Sequence, residues 1–199
     1  MPRTAKIERN TAETQINLIV NLDGKGVLSA ETGVGFLDHM LAHLAKHSLT
    51  DITITATGDL HVDDHHTVED IAICLGAAVA QALGVKAGIR RYGWAMVPMD
   101  ETLAAAAIDL SGRAAFVMNA PFTAGKIGTF DTQLVGEFLR QFAASAKMNL
   151  HVNVAYGAND HHIAEAIFKA VAMAFRRAKE IDPDRADQVP STKGTLGNG

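Results

Sequence analysis

The stretch Asp-Asp-His-His-Thr-Val-Glu-Asp-Ile-Ala at positions 63 to 72 returns 96 residues later as Asn-Asp-His-His-Ile-Ala-Glu-Ala-Ile-Phe at 159 to 168. After each His-His pair the apolar residues keep helical spacing. Val68, Ile71, Ala72, Leu75, Val79 and Leu83 fall on one face up to Gly84, and the second copy predicts a helix from about His161 to Glu180. Asp64, just ahead of the first helix, is expected to cap it, because a carboxylate there can accept from unpaired first-turn amides. The repeat extends outward. Leu150 and Val152 alternate ahead of the second copy as Ile52 and Ile54 do ahead of the first, which predicts strands at Asn149–Ala155 and Asp51–Thr57. A shift of 98 then sets His39, in a predicted helix from Phe36 to His47, opposite Glu137, in a predicted helix from Thr132 to Ala146.

The remaining segments complete a β-β-β-α-β-α plan in each half. Ile16, Leu18, Val20 and Leu22 alternate in a strand from Glu13. The turn residues Asp23-Gly24-Lys25-Gly26 then predict that Val27–Thr32 returns as its hairpin partner. Trp94–Val97, Thr102–Asp109 and Arg113–Asn119 read as strands of a meander. The fold class is therefore α+β, internally duplicated, with residues 1–88 and 89–182 as the two halves and an aperiodic tail, 183–199, that composition alone would leave disordered.

Composition narrows the function. The 199 residues are 48% hydrophobic and 20% charged, with a net charge of −4, so there is no global basic field to hold nucleic acid or an anionic membrane. The longest apolar run, Ile71–Ala80, is far short of the ~20 residues that span a bilayer, and no apolar leader opens the sequence. Both predict a soluble, cytoplasmic chain. The one cysteine, Cys74, reads as a core thiol.

Nine histidines, eight of them in three clusters, point to a metal. On a helix, residues i and i+4 share a face, so His65 with Glu69, and His161 with Glu165, can each converge on one ion. His66 and His162 point about 100° away from their predecessors and can serve a second centre. A lone His-x-x-x-Glu pair is ordinarily a solvated pair. Two copies at matching turns of a duplicated fold are not an accident of that kind. Imidazole and carboxylate without thiolate suit manganese, iron, zinc or nickel rather than a sulfur-rich structural zinc site. His43 and His47 continue the His39 stripe and are balanced between a structural and a substrate role, while His61 and His151 read as non-ligands. Lys169 extends the His161–Glu165 stripe. Arg91, Arg113, Ser191, Thr192 and Lys193 supply groups of the kind that hold phosphate.

Asp-His-Met-Leu at 38 to 41, the two His-His-x-x-Glu copies, Asp-Leu-Ser-Gly-Arg at 109 to 113 and Pro-Ser-Thr-Lys-Gly at 190 to 194 together resemble the imidazoleglycerol-phosphate dehydratase family, over about Ile7 to Gly194. The resemblance implies a two-layer α/β unit like the second domain of ribosomal protein S5, duplicated, and a homo-oligomeric shell of 24 subunits with octahedral symmetry and active sites between subunits. It implies two Mn2+ ions. One is held by His39, His66, His161 and Glu165, the other by His65, Glu69, His162 and the position of Glu137, where many relatives carry histidine. It implies phosphate contacts from Arg91, Arg113, Lys169, Ser191, Thr192 and Lys193, with His47 also at the substrate and the tail ordering over it. Glu13 and Asp100 match acidic active-site positions, and catalytic roles are implied for Glu13, His39, His65, Asp100 and Glu165. The implied reaction is loss of water from imidazole glycerol phosphate in histidine biosynthesis. Two rivals share the ligand types: a dinuclear hydrolase of phosphate esters or amides, and a metal-storage protein with closed sites.

Overall fold

The structure, a computed structural model, describes residues 2–185 and 188–196. Two four-stranded sheets and four helices bear out the α+β class. In chain order they are β1 (Thr4–Asn10), β2 (Thr14–Asn21), β3 (Leu28–Glu31), α1 (Gly35–Ser48), β4 (Asp51–Gly58) and α2 (His65–Leu83). The same order follows as β5 (Tyr92–Met99), β6 (Thr102–Asp109), β7 (Ala115–Asn119), a small β8–β9 ribbon (Lys126–Ile127 and Phe130–Asp131), α3 (Gln133–Ser145), β10 (Asn149–Tyr156) and α4 (Asp160–Lys179).

Sheet order corrects the hairpin expectation. The sheets run β1-β2-β4-β3 and β5-β6-β10-β7. β3 does not return against β2 but lies parallel to β4, and β7 likewise leaves the meander to lie parallel to β10. The reason is edge availability. β2 has β1 on one side and pairs along its whole length with β4 on the other, so the next strand finds a free ladder only beyond β4. The Asp51 carboxylate fastens the loop there by accepting from the amides of Lys25 (2.8 Å) and Val27 (2.9 Å). The third strand that the plan needs ahead of α1 is β1, which no alternation marks because as an edge strand it turns only Ala5 and Ile7 toward the core.

Each sheet buries one face under helices, and the helices pair across the halves, α1 on α4 and α2 on α3. Two glycines permit this closeness. A Cβ on Gly93 would lie 1.9 Å from the Ala174 carbonyl of α4, and one on Gly76 would lie 2.6 Å from the Phe142 carbonyl of α3. One continuous core results, running from Leu18 and Ile54 in one sheet through Leu41, Leu75, Phe138 and Phe168 to Ala104 and Leu150 in the other. α2 is the one described helix long and apolar enough to cross a membrane, but Val68, Ile71, Leu75 and Val79 bury its apolar face in this core. The outer sheet faces differ. The first carries Asn17, Thr53 and Thr55, whereas the second exposes Trp94, Met96 and Val117.

Candidate metal centre

Cross-half helix pairing decides which ligands meet. α1 brings His39 against α4, where His161 and Glu165 stand one turn apart. The Nε2 atoms of His39 and His161 lie 2.8 and 3.0 Å from the same oxygen, Glu165 Oε1. The other oxygen, Oε2, accepts from Lys169 Nζ at 2.6 Å, with His43 Nε2 at 3.3 Å but making no aligned hydrogen bond. Burial opposes the charge on Glu165, which is only 7% exposed, yet the hydrogen bonds from Lys169, His39 and His161 outweigh it and hold the carboxyl well below its usual range. Burial pushes the His43 and His47 imidazoles down, so both favour the neutral form, and their rings stack at 5.9 Å.

The other helix pair is arranged more loosely: Glu69 of α2 and Glu137 of α3 are linked through Gln141, with His65 lining the same hollow as Glu137. Gln141 Nε2 donates to both carboxylates, at 2.9 Å to Glu69 and 2.8 Å to Glu137, and Arg140 pairs with Glu137 at 2.5 Å. His65 and Glu137 line a hollow of about 650 Å3 together with Asp63, Lys126 and Asp131.

His66 and His162 join neither cluster of their own chain. His66 Nδ1 pairs with Asp59 at 2.9 Å and His162 Nδ1 with Glu101 at 2.7 Å, which leaves each Nε2 turned outward, 3.9 Å from Glu13 and 3.6 Å from Asp100 respectively. The carboxylate partner raises the pKa of each imidazole. A carboxylate on Nδ1 is also the arrangement that fixes Nε2 as a metal-binding nitrogen. Capping falls elsewhere than expected. Asp64 makes no side-chain cap, and Asp63 instead accepts from the His65 amide at 2.8 Å, as Asn159 does from the amide of His161 at 2.9 Å.

The donor set fits divalent metal. At His39, His43 and Glu165 imidazole nitrogens and carboxylate oxygens converge without thiolate, and the Nε2 of His43, buried beside Glu165, has no hydrogen-bond partner among the described residues.

The phosphate-type groups gather separately. Arg91, in a left-handed backbone conformation (φ 71°), is clamped by both oxygens of Asp109 at 2.7 and 3.0 Å and donates to the Pro190 carbonyl at 2.8 Å. That last bond brings the tail in. Arg91, Arg113, Ser191, Thr192 and Lys193 all line one hollow of about 580 Å3. Lys169 and His47 are not part of it, since Lys169 is engaged with Glu165 and His47 with His43. Sequence reasoning did not single out Asp59, Glu101 or Gln141. A shift of 88, which aligns Glu13-Thr14 with Glu101-Thr102, and the i+4 step from Glu137 would have found the last two.

The imidazoleglycerol-phosphate dehydratase family model matches residues 32–175. The imidazoleglycerol-phosphate dehydratase of Granulibacter bethesdensis is 59% identical over 196 residues, covering 98% of this chain and all of the relative. That of Rhodopirellula baltica is 58% identical over 194 residues, covering 98% and 96%. The crystal structure of the Staphylococcus aureus imidazoleglycerol-phosphate dehydratase superposes with a TM-score of 0.82 at 38% identity, over 90% of this chain and 99% of that one. That of the Pyrococcus furiosus protein, in complex with (S)-C348, gives 0.78 at 34% identity, over 96% and 100%.

Proposed function

The chain belongs to the imidazoleglycerol-phosphate dehydratase family, hydro-lyases of histidine biosynthesis, and on that footing we propose that it removes water from D-erythro-imidazole glycerol phosphate to give imidazole acetol phosphate, using two manganese ions. One observation carries the two-metal reading. Each cross-half helix pair brings together members of one family set, His39 with His161 and Glu165 between α1 and α4, and Glu69 with Glu137 between α2 and α3 where His65 lines the same hollow as Glu137, while the remaining histidine, His66 or His162, has Nδ1 tied to a carboxylate outside these groups. Such a histidine is prepared to complete a centre on a second copy. The exposed Trp94, Met96 and Val117 on one sheet face also favour self-association, and the family resemblance extends this to a 24-subunit octahedral shell.

Bound divalent ions supply Lewis acidity toward the imidazole ring of the substrate. The chain's own residues do the rest. Arg91, Arg113, Ser191, Thr192 and Lys193 bind the phosphate, with Arg91 held in its fork geometry by Asp109, so the glycerol chain is fixed at one end. Lys169 acts chiefly on Glu165, keeping that carboxylate ionised and oriented. Glu13, exposed and beside the outward Nε2 of His66, takes the proton from the carbon next to the one losing hydroxide, and the enol formed becomes the ketone. Asp100 stands in the corresponding place beside His162 and is the second acidic group available to the departing oxygen. The net charge of −4 argues against a nucleic-acid or membrane partner, and a histidine-biosynthesis role agrees with the cytoplasm.

The test is turnover of imidazole glycerol phosphate by chelator-stripped protein with and without manganese, scoring keto product and free phosphate together. Manganese-restored keto product with phosphate retained is the expected result. Release of inorganic phosphate would instead favour a dinuclear hydrolase, and neither product from metal-loaded protein would contradict the dehydratase.

A further inference from the structure

The two metal clusters are related by the internal repeat, but their supporting residues are not alike. Position 141 of α3 corresponds to position 43 of α1 under the shift of 98 that aligns His39 with Glu137. In one cluster that position is His43, 3.3 Å from Glu165 Oε2; in the other it is Gln141, whose Nε2 donates to Glu69 and Glu137 at once. The carboxylate of the first cluster is additionally gripped by Lys169, and the corresponding residue of α2 is Ile73, which carries no charge. The second cluster thus holds two carboxylates where the first holds one. Among the described residues no lysine pairs with either of them. The two hydrogens of a single amide nitrogen are what join them, across the α2–α3 packing.

We propose that Gln141 is a positioning residue for the second centre: it holds the Glu69 and Glu137 carboxylates together across the α2–α3 packing, so that a carboxylate stands in for imidazole at position 137 without loss of the site. This rests on the two-metal reading given above. Two carboxylates facing each other repel, and without a donor between them they would swing apart toward solvent and have to be drawn back when the ion binds. A neutral bridging amide does this without competing for the site as a cation would. Arg140 pairs with Glu137 but, among the described ion pairs and hydrogen bonds, not with Glu69, so it does not replace the bridge.

The experiment is manganese titration of the chelator-stripped, full-length protein by calorimetry, comparing the unaltered chain with Gln141→Met, Glu137→Gln and Glu165→Gln. Methionine keeps the length and volume of glutamine and removes both donors. Loss of an outer partner of a metal ligand weakens binding about 10–100-fold. Gln141→Met is expected to weaken one of the two manganese equivalents per chain by about tenfold or more, the same equivalent that Glu137→Gln weakens, and to leave the one sensitive to Glu165→Gln unchanged. Gln141→Asn, which keeps the amide on a shorter stem, serves if the methionine variant does not fold, and is expected to lose the same equivalent in smaller measure. Unchanged affinity at both equivalents, or equal weakening of both, overturns the positioning role while leaving the two-metal reading intact. Absence of any manganese binding by the unaltered chain overturns both.

Discussion

Lys179 offers a test of the packing that joins the halves. It closes α4 only 5% exposed, and its ammonium donates to two carbonyls of the first half, Leu22 at the end of β2 and Leu49 at the end of α1, the latter at 3.2 Å. Burial pushes its pKa down to about 8. An unfolded lysine titrates near 10.4. Between those values the unfolded chain binds the extra proton, so stability rises with pH across that window and is flat in this respect below it. The gap corresponds to about 3 kcal/mol at roughly 1.36 kcal/mol per pKa unit. Urea unfolding of metal-free protein at one concentration, at pH 7.5 and again near 10.5, reads the effect against Lys179→Met, which has the same pH dependence from every other group. The unaltered chain should gain about 3 kcal/mol relative to the variant over that interval. Parallel stability curves would refute the reasoning, for they would mean the ammonium is not desolvated where it lies.

Glu13→Gln should retain manganese and substrate binding while kcat falls about 100-fold or more, the usual scale for a lost proton acceptor; near-normal turnover would remove Glu13 from the chemistry. Arg113→Ala removes an exposed guanidinium from the phosphate hollow and should raise KM more than it lowers kcat, whereas Asp109→Asn, which loosens the clamp on Arg91, should lower affinity for inorganic phosphate too; phosphate binding unchanged in both would place the substrate's phosphate elsewhere. If His66 and His162 complete centres on neighbouring copies, chelation should shrink the particle in light scattering as well as stop turnover, and a particle indifferent to chelator would oppose that.

Strongly periodic elements were legible in the sequence because their patterns are set by burial on one face. Val68 to Leu83 in α2 and the alternating Leu150, Val152 and Val154 in β10 belong to this class. So was the duplication, since His-His-x-x-Glu recurs at the same helical turn. Strand partners were not. The sequence of β3 is equally suited to either neighbour, and only the occupation of β2 by β4 sends it to the far edge. Within the site, the ligand types and the His39–Glu137 correspondence could be read from spacing alone. Which helices face each other could not, and that decides that His39 meets Glu165 while His66 turns to Asp59. Asp59 lies just past β4 with no periodicity to mark it, so its partnership with His66 comes from tertiary placement only.

If a histidine from a second copy completes each metal set, activity should return when an equal mixture of His66→Ala and Glu165→Gln chains, each inactive alone, is reassembled through chelation and manganese addition. Random mixing pairs an intact His66 on one copy with an intact cluster on another in about a quarter of the sites, so activity should return to about that fraction of the unaltered protein. A mixture as inactive as its components, at the same particle size, would mean that His66 does not act on a neighbouring copy.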